Sequence, residues 1–190
     1  MAQFGEMTLL RKLILMALVL SPTALPAQAA QSAVGGESSV WIGGGYSNFH
    51  ADFGGSARLG GVTAFFDYNR YARLGFEGET RFLRFGNFYG EHEDNYLVGP
   101  RYVVMRHGRF RPYAKFLVGD GSIHYPFDIG HGSYFSMAPG GGLDYRLTHR
   151  WALRVDYEYQ FWPGAPGISD EPSHGLNPNG VTVGVMWRLF

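Results

Sequence analysis

A chain of 190 residues with 45% hydrophobic and 17% charged residues has room for one folded domain plus a targeting segment, and it is too apolar for a disordered polymer. The formal net charge is zero and no long basic run occurs, so the electrostatic footprint of a nucleic-acid binder is missing. There is no cysteine, which excludes disulfides, thiolate metal sites, a cysteine nucleophile and a lipid anchor on cysteine.

At the N-terminus, Arg11 and Lys12 precede an apolar run from Leu13 to Leu20, followed by Ser21 and Pro22 and then Ala27-Gln28-Ala29-Ala30. A basic region, a short apolar region and an A-x-A site predict a cleaved secretory signal peptide over 1–29. The run is too short to span a membrane as a helix, which takes about 20 residues. The competing reading is a buried core helix. A short segment, 30–37, then leads into a single domain over 38–190 that works outside the cytoplasm, exported by the general secretory route.

Eight candidate strands follow in chain order, at 38–48, 58–68, 72–85, 94–106, 110–120, 134–146, 150–161 and 180–190. Short turns are expected at 69–71, 106–109 and 147–149, and longer loops at 49–57, 86–93, 121–133 and 162–179. Long loops at one end and tight turns at the other are the pattern of an outer-membrane barrel. Side chains alternate between faces along a strand. In 151–161 one face is Trp151, Leu153, Val155, Tyr157, Tyr159 and Phe161, and the other is Ala152, Arg154, Asp156, Glu158 and Gln160. The third, fourth and eighth strands repeat the pattern, with Phe76, Tyr102, Val183 and Trp187 on the apolar face and Glu77, Glu79, Arg81 and Arg101 on the polar one.

Alternation alone does not say which face points outward. A soluble, lipocalin-like periplasmic barrel binding a ligand would put the apolar face inside. Two features favour the inverse. The polar face carries many glycines, among them Gly43, Gly45, Gly99, Gly119, Gly142 and Gly184, which suits a narrow lumen with room for few side chains. The apolar face is crowded with aromatics near strand ends: Tyr145, Trp151 and Trp187 at the short-turn end, and Phe82, Tyr96 and Phe161 at the loop end. These would form the two aromatic girdles of a membrane barrel.

The fold expected is therefore all-β: an eight-stranded antiparallel up-and-down transmembrane β-barrel in the bacterial outer membrane, monomeric, with outer-membrane lipid and the barrel assembly machinery as partners. Phe76, Tyr102, Phe116, Trp151, Leu153, Val155, Tyr157, Val183 and Trp187 would face lipid. Glu77, Glu79, Arg81, Arg101, Lys115, Arg154, Asp156 and Glu158 would line the lumen, where charges are tolerable only when paired. Arg101, Lys115 and Arg154 are expected to face Glu77, Glu79 and Asp156, plugging the barrel. A gated ion path through rearranged pairs is the alternative.

The segments Tyr96-Leu97-Val98-Gly99-Pro100-Arg101-Tyr102, Arg111-Pro112-Tyr113-Ala114-Lys115, Gly140-Gly141-Gly142-Leu143-Asp144-Tyr145-Arg146-Leu147 and Leu153-Arg154-Val155-Asp156-Tyr157-Glu158-Tyr159 resemble the OmpA-like small outer-membrane β-barrel family over about 38–190. The resemblance implies lumen charges at Arg101, Lys115, Arg154 and Asp156. It also implies a terminal aromatic in phase with the outward residues. Phe190 departs from this, falling in phase with Met186 and Arg188, so either the last strand ends in a bulge or the assembly signal is imperfect.

No catalytic site, cofactor or metal is expected. The seven histidines show no ligand spacing such as H-E-x-x-H. His131-Gly132-Ser133 matches the H-x-S pair of a lipid A deacylase class, but it falls in a predicted Gly-rich loop and Tyr134 stands where that class has Asn. His50 and Asp52 offer an acyl-transfer reading on no better grounds, and His92, His124 and His174 are expected as solvated loop residues. The role expected is structural or loop-mediated binding, with Phe88, Tyr89, Tyr125 and Phe127 as contact candidates. A lipid A-modifying enzyme is the alternative.

Overall fold

A computed structural model describes residues 38–52, 58–71, 73–86, 90–125, 130–166 and 175–190. The expected signal peptide, the 30–37 segment, Phe88, Tyr89, Phe127 and His174 lie outside the described residues.

The chain forms a closed antiparallel barrel of eight strands, each paired with its sequence neighbours and the last with the first. The strands are β1 Ser39–His50, β2 Arg58–Asn69, β3 Leu74–Phe85, β4 His92–Val103, β5 Phe110–His124, β6 His131–Arg146, β7 Trp151–Tyr159 and β8 Asn179–Arg188. Closure leaves no unpaired sheet edge, which is what a strand protein needs in lipid.

Burial follows the period of two. In β7, Ala152, Arg154, Asp156 and Glu158 are buried while Trp151, Leu153, Val155 and Tyr157 are exposed. Phe76, Tyr102, Phe116, Val183 and Trp187 also face outward, each between 38% and 54% exposed. Large apolar side chains on the outside and charges within invert the layout of a soluble barrel. Aromatic pairs mark both ends of this outer surface. Trp151 and Trp187 lie 6.3 Å apart and Phe110 and Tyr145 5.0 Å apart at the short-turn end. Phe82–Tyr96, at 5.9 Å, and Tyr159–Phe161, at 4.9 Å, stand at the other.

Two strand boundaries differ from the sequence reading, and the C-terminal strand shows the bulge it allowed. The loop expected at 121–133 is mostly strand: β5 and β6 continue in register through Gly121↔Tyr134, Ser122↔Ser133, Ile123↔Gly132 and His124↔His131. Glycine, serine and histidine carry weak strand propensity, but Ile123 is buried here and a side chain at Gly121 would strike the Trp162 ring, so tertiary packing overrides propensity. The fourth strand stops at Val103 rather than 106, and the turn beyond it closes on the His107↔Phe110 bridge. At the C-terminus, Val40 N–H donates to Phe190 O while Leu189 N–H donates to Val40 O. Two residues thus oppose one, a bulge that leaves Phe190 66% exposed and accounts for its phase.

The inward glycines have a sharper cause than lumen room. A Cβ on Gly119 would strike the Tyr96 carbonyl and lie 3.0 Å from the Leu97 Cα of the adjacent strand. The small radius of the barrel drives neighbouring backbones together on its concave side.

Candidate functional site

The interior charges assemble from β2 to β7. Alternation turns Asp67 of β2, Glu77, Glu79 and Arg81 of β3, Arg101 of β4, Lys115 of β5, Asp144 of β6, and Arg154, Asp156 and Glu158 of β7 into the lumen. All eight predicted lumen residues are at most 5% exposed.

Lys115 is the centre. Its Nζ lies 3.0 Å from Glu77 Oε1, 2.8 Å from Glu79 Oε2, 3.0 Å from Asp156 Oδ1 and 3.0 Å from Glu158 Oε2. Glu79, Asp156 and Glu158 are close enough together to ligate a cation, and the Lys115 ammonium stands in that position. Towards the short-turn end, Arg154 donates to Asp67 at 2.5 Å, Asp144 at 2.9 Å and Glu77 at 3.2 Å. Arg101 adds Glu77 at 3.1 Å and a close pair with Asp144. Towards the loop end, Arg81 pairs closely with Glu79 and lies 3.1 Å from Glu158. The guanidiniums also lie over rings: Arg81 over Phe49 at 3.8 Å, Arg101 over Tyr113 at 3.7 Å and Arg154 over Phe65 at 4.9 Å.

Apolar layers flank this lattice. Trp41, Phe65, Ala152 and Met186 pack at the short-turn end, and Phe49, Ala51, Leu59 and Leu83 towards the loops. Above them a chain of donors runs out of the lattice: Trp162 Nε1–H donates to Gln160 Oε1 at 2.7 Å, and Gln160 Nε2–H to Glu158 Oε1 at 2.7 Å. Trp162 is 1% exposed and packs with Ile123, Tyr125, Ala165 and Leu176. Tyr125, expected as a partner contact, is instead buried in this cluster with its hydroxyl donating to Pro166 O at 3.0 Å. Outside the strands, Glu91 is buried at the loop end, and burial pushes its carboxyl above the ordinary range.

The sequence reading missed Asp67, Asp144 and Tyr113. Asp144 shares its face with Gly140 and Gly142, and that parity was the available signal. Asp67 was obscured because its face also carries the apolar Phe65. Tyr113 donates from its hydroxyl to Asp156.

A sequence match and a set of structural likenesses bear on this arrangement. The sequence matches the family described as "Outer membrane protein beta-barrel domain" over residues 15–188. The chain belongs to the outer membrane protein β-barrel domain family. Among solved structures, the fold is similar to the N-terminal β-barrel domain of Pseudomonas aeruginosa OprF, with TM-score 0.59 and 14% identity over 82% of this chain and 100% of that one. It is also similar to Neisserial surface protein A, with TM-score 0.57 and 14% identity over 79% of this chain and 96% of that one. Pseudomonas aeruginosa OprG gives TM-score 0.56 and 13% identity over 81% of this chain and 97% of that one. No curated protein matches. An outer membrane protein β-barrel domain resides in the bacterial outer membrane, and the soluble periplasmic alternative is set aside, since the apolar face is the outer one.

The residues considered for catalysis are placed differently from expectation. His131 and Ser133 lie on the outward face of β6 rather than in a Gly-rich loop. The His131 ring stacks on His124, with 5.1 Å between centroids. Ser133 lies opposite Ser122 of β5. The Asp52 carboxylate accepts the Asn177 backbone N–H at 3.0 Å, and its own backbone N–H donates to His50 Nδ1 at 3.3 Å.

Proposed function

We propose that this outer-membrane barrel is sealed, non-conducting and non-catalytic, and that it acts structurally or by binding through its loop end. The observation that carries the reading is the Lys115 ammonium held by Glu77, Glu79, Asp156 and Glu158 across the lumen. An eight-stranded barrel encloses an interior that side chains fill, whereas porins take about sixteen strands. Here the ion-pair lattice spans the interior from Asp67 to Glu158, so an ion entering would have to displace paired, buried charges.

Binding through the loop end is supported by its construction. The β5–β6 hairpin runs to His124 and His131, Phe161 extends the β6–β7 pairing at Met137, Trp162 pairs with Leu176, and Trp162 packs against Ile123 of β5. The described part of the loop end thus carries a buried cluster around Trp162 on which a partner could dock. Outer-membrane lipid surrounds the monomer on this reading, and the barrel assembly machinery inserts it.

Planar-bilayer recording tests the sealed lumen. The purified barrel is expected to give no steady conductance at neutral pH and moderate voltage. A stable open level in most insertions would overturn the reading in favour of an ion path.

A further inference from the structure

Three histidines far apart in sequence share one rung of the barrel. Register pairs His92 of β4 with His124 of β5, and His124 with His131 of β6. All three lie on the outward parity, His131 exposed and His92 and His124 half-buried. The His92 and His124 rings stack with centroids 4.2 Å apart and planes 14° from parallel; His124 and His131 stack at 5.1 Å and 15°.

We propose that this row is a surface site for a divalent transition-metal ion of the class imidazole prefers, such as Zn2+, Cu2+ or Ni2+, with His124 as the central ligand. Side chains opposite one another on adjacent strands hold their Cβ atoms about 5 Å apart, so two imidazoles can converge on one ion at about 2.0–2.1 Å from each nitrogen. The rings are stacked in this structure, so convergence on one ion takes rotation of the imidazoles. His92 Nδ1 lies 3.0 Å from Gly90 O. A proton on Nδ1 donated to that carbonyl leaves Nε2 with its lone pair free, the arrangement by which a backbone acceptor fixes the tautomer of a metal-binding histidine. The remaining coordination positions fall to water, or to the third histidine.

The surroundings favour a ligand from the aqueous side. The next outward rung is Asp94, Ser122 and Ser133, and the one after is Tyr96, Asp120 and Phe135. The row therefore stands about 13 Å along the strand beyond the aromatic Tyr96. Asp94 is held by Arg84 at 2.5 Å, so its charge is engaged.

The test uses the full barrel in detergent micelles or lipid nanodiscs and the metals themselves as probes. Zn2+ or Ni2+ is titrated calorimetrically, and Cu2+ is followed by electron paramagnetic resonance. The expected result is binding that weakens at least tenfold in His124→Asn and stays within twofold in His50→Asn, with couplings from two or more imidazole nitrogens on Cu2+. Retained heat-modifiable migration of both variants on gels shows that they fold. Equal affinity in His124→Asn and the parent, no measurable binding by the parent, or a Cu2+ spectrum without nitrogen couplings overturns the proposal. None of these outcomes bears on whether the lumen conducts.

Discussion

Lys115 shows what a single side chain can decide here. Four carboxylates converge on its ammonium within 2.8–3.0 Å, all buried. Removing one partner of a buried ion pair leaves an uncompensated charge and costs about 3–5 kcal/mol. Lys115→Met, which keeps most of the volume, is expected to lose stability in that range in urea unfolding from lipid vesicles. A change below about 1 kcal/mol would mean that water already solvates the carboxylates. Phe65, Phe49 and Tyr113 matter at the same scale, because each presents a ring face to a guanidinium while filling interior volume.

At the scale of the strand, alternation carried most of the information. Residues 151–159 separate into a wholly apolar and a mostly charged set, so both the strand and its two faces were readable. The expected partner set was partly readable, since Lys115 meets Glu77, Glu79 and Asp156 and both Arg101 and Arg154 meet Glu77, but the exact pairings were not. The face of a residue depends only on its own strand, whereas the contact of Arg154 with Asp67 depends on how far the closing sheet staggers, and local sequence does not encode that stagger. The same limit hid the histidine row, since 92, 124 and 131 share no recognisable spacing and meet only through register. The strand ends at 121–124 and 131–133 escaped for another reason: their Gly and Ser residues resemble a loop until Trp162 packs over Gly121.

The inward glycines give the element-scale prediction. A methyl group at Gly119 would strike the neighbouring backbone, whereas at the outward Gly78 the nearest atom is 4.0 Å away. Gly119→Ala is expected to destabilise the barrel by about 1–3 kcal/mol, the usual range for overpacking. Gly78→Ala should stay within about 0.5 kcal/mol, as surface changes do. Chemical unfolding of the two variants side by side checks the contrast, and equal effects would remove the role assigned to strand approach.

For the molecule as a whole, the inside-out distribution explains both residence and closure. Aromatic pairs at the two ends and aliphatic side chains between them match the boundary and core of a bilayer. The interior, relieved of contact with lipid, holds acidic and basic side chains that pair with one another across the barrel.

The most direct test of whether the interior is sealed exploits a chain without cysteine. Thr182 faces the lumen at 1% exposure and Val183, its neighbour, faces outward at 54%. Thr182→Cys and Val183→Cys would each be prepared in lipid vesicles and treated with a charged, water-soluble thiol reagent and then with a lipid-soluble one. A sealed barrel predicts that the cysteine at 182 resists both reagents until the protein is unfolded, while the one at 183 reacts with the lipid-soluble reagent alone. Rapid labelling at 182 by the charged reagent in the folded protein would contradict the account, because it would require a water-filled path where the ion-pair lattice stands.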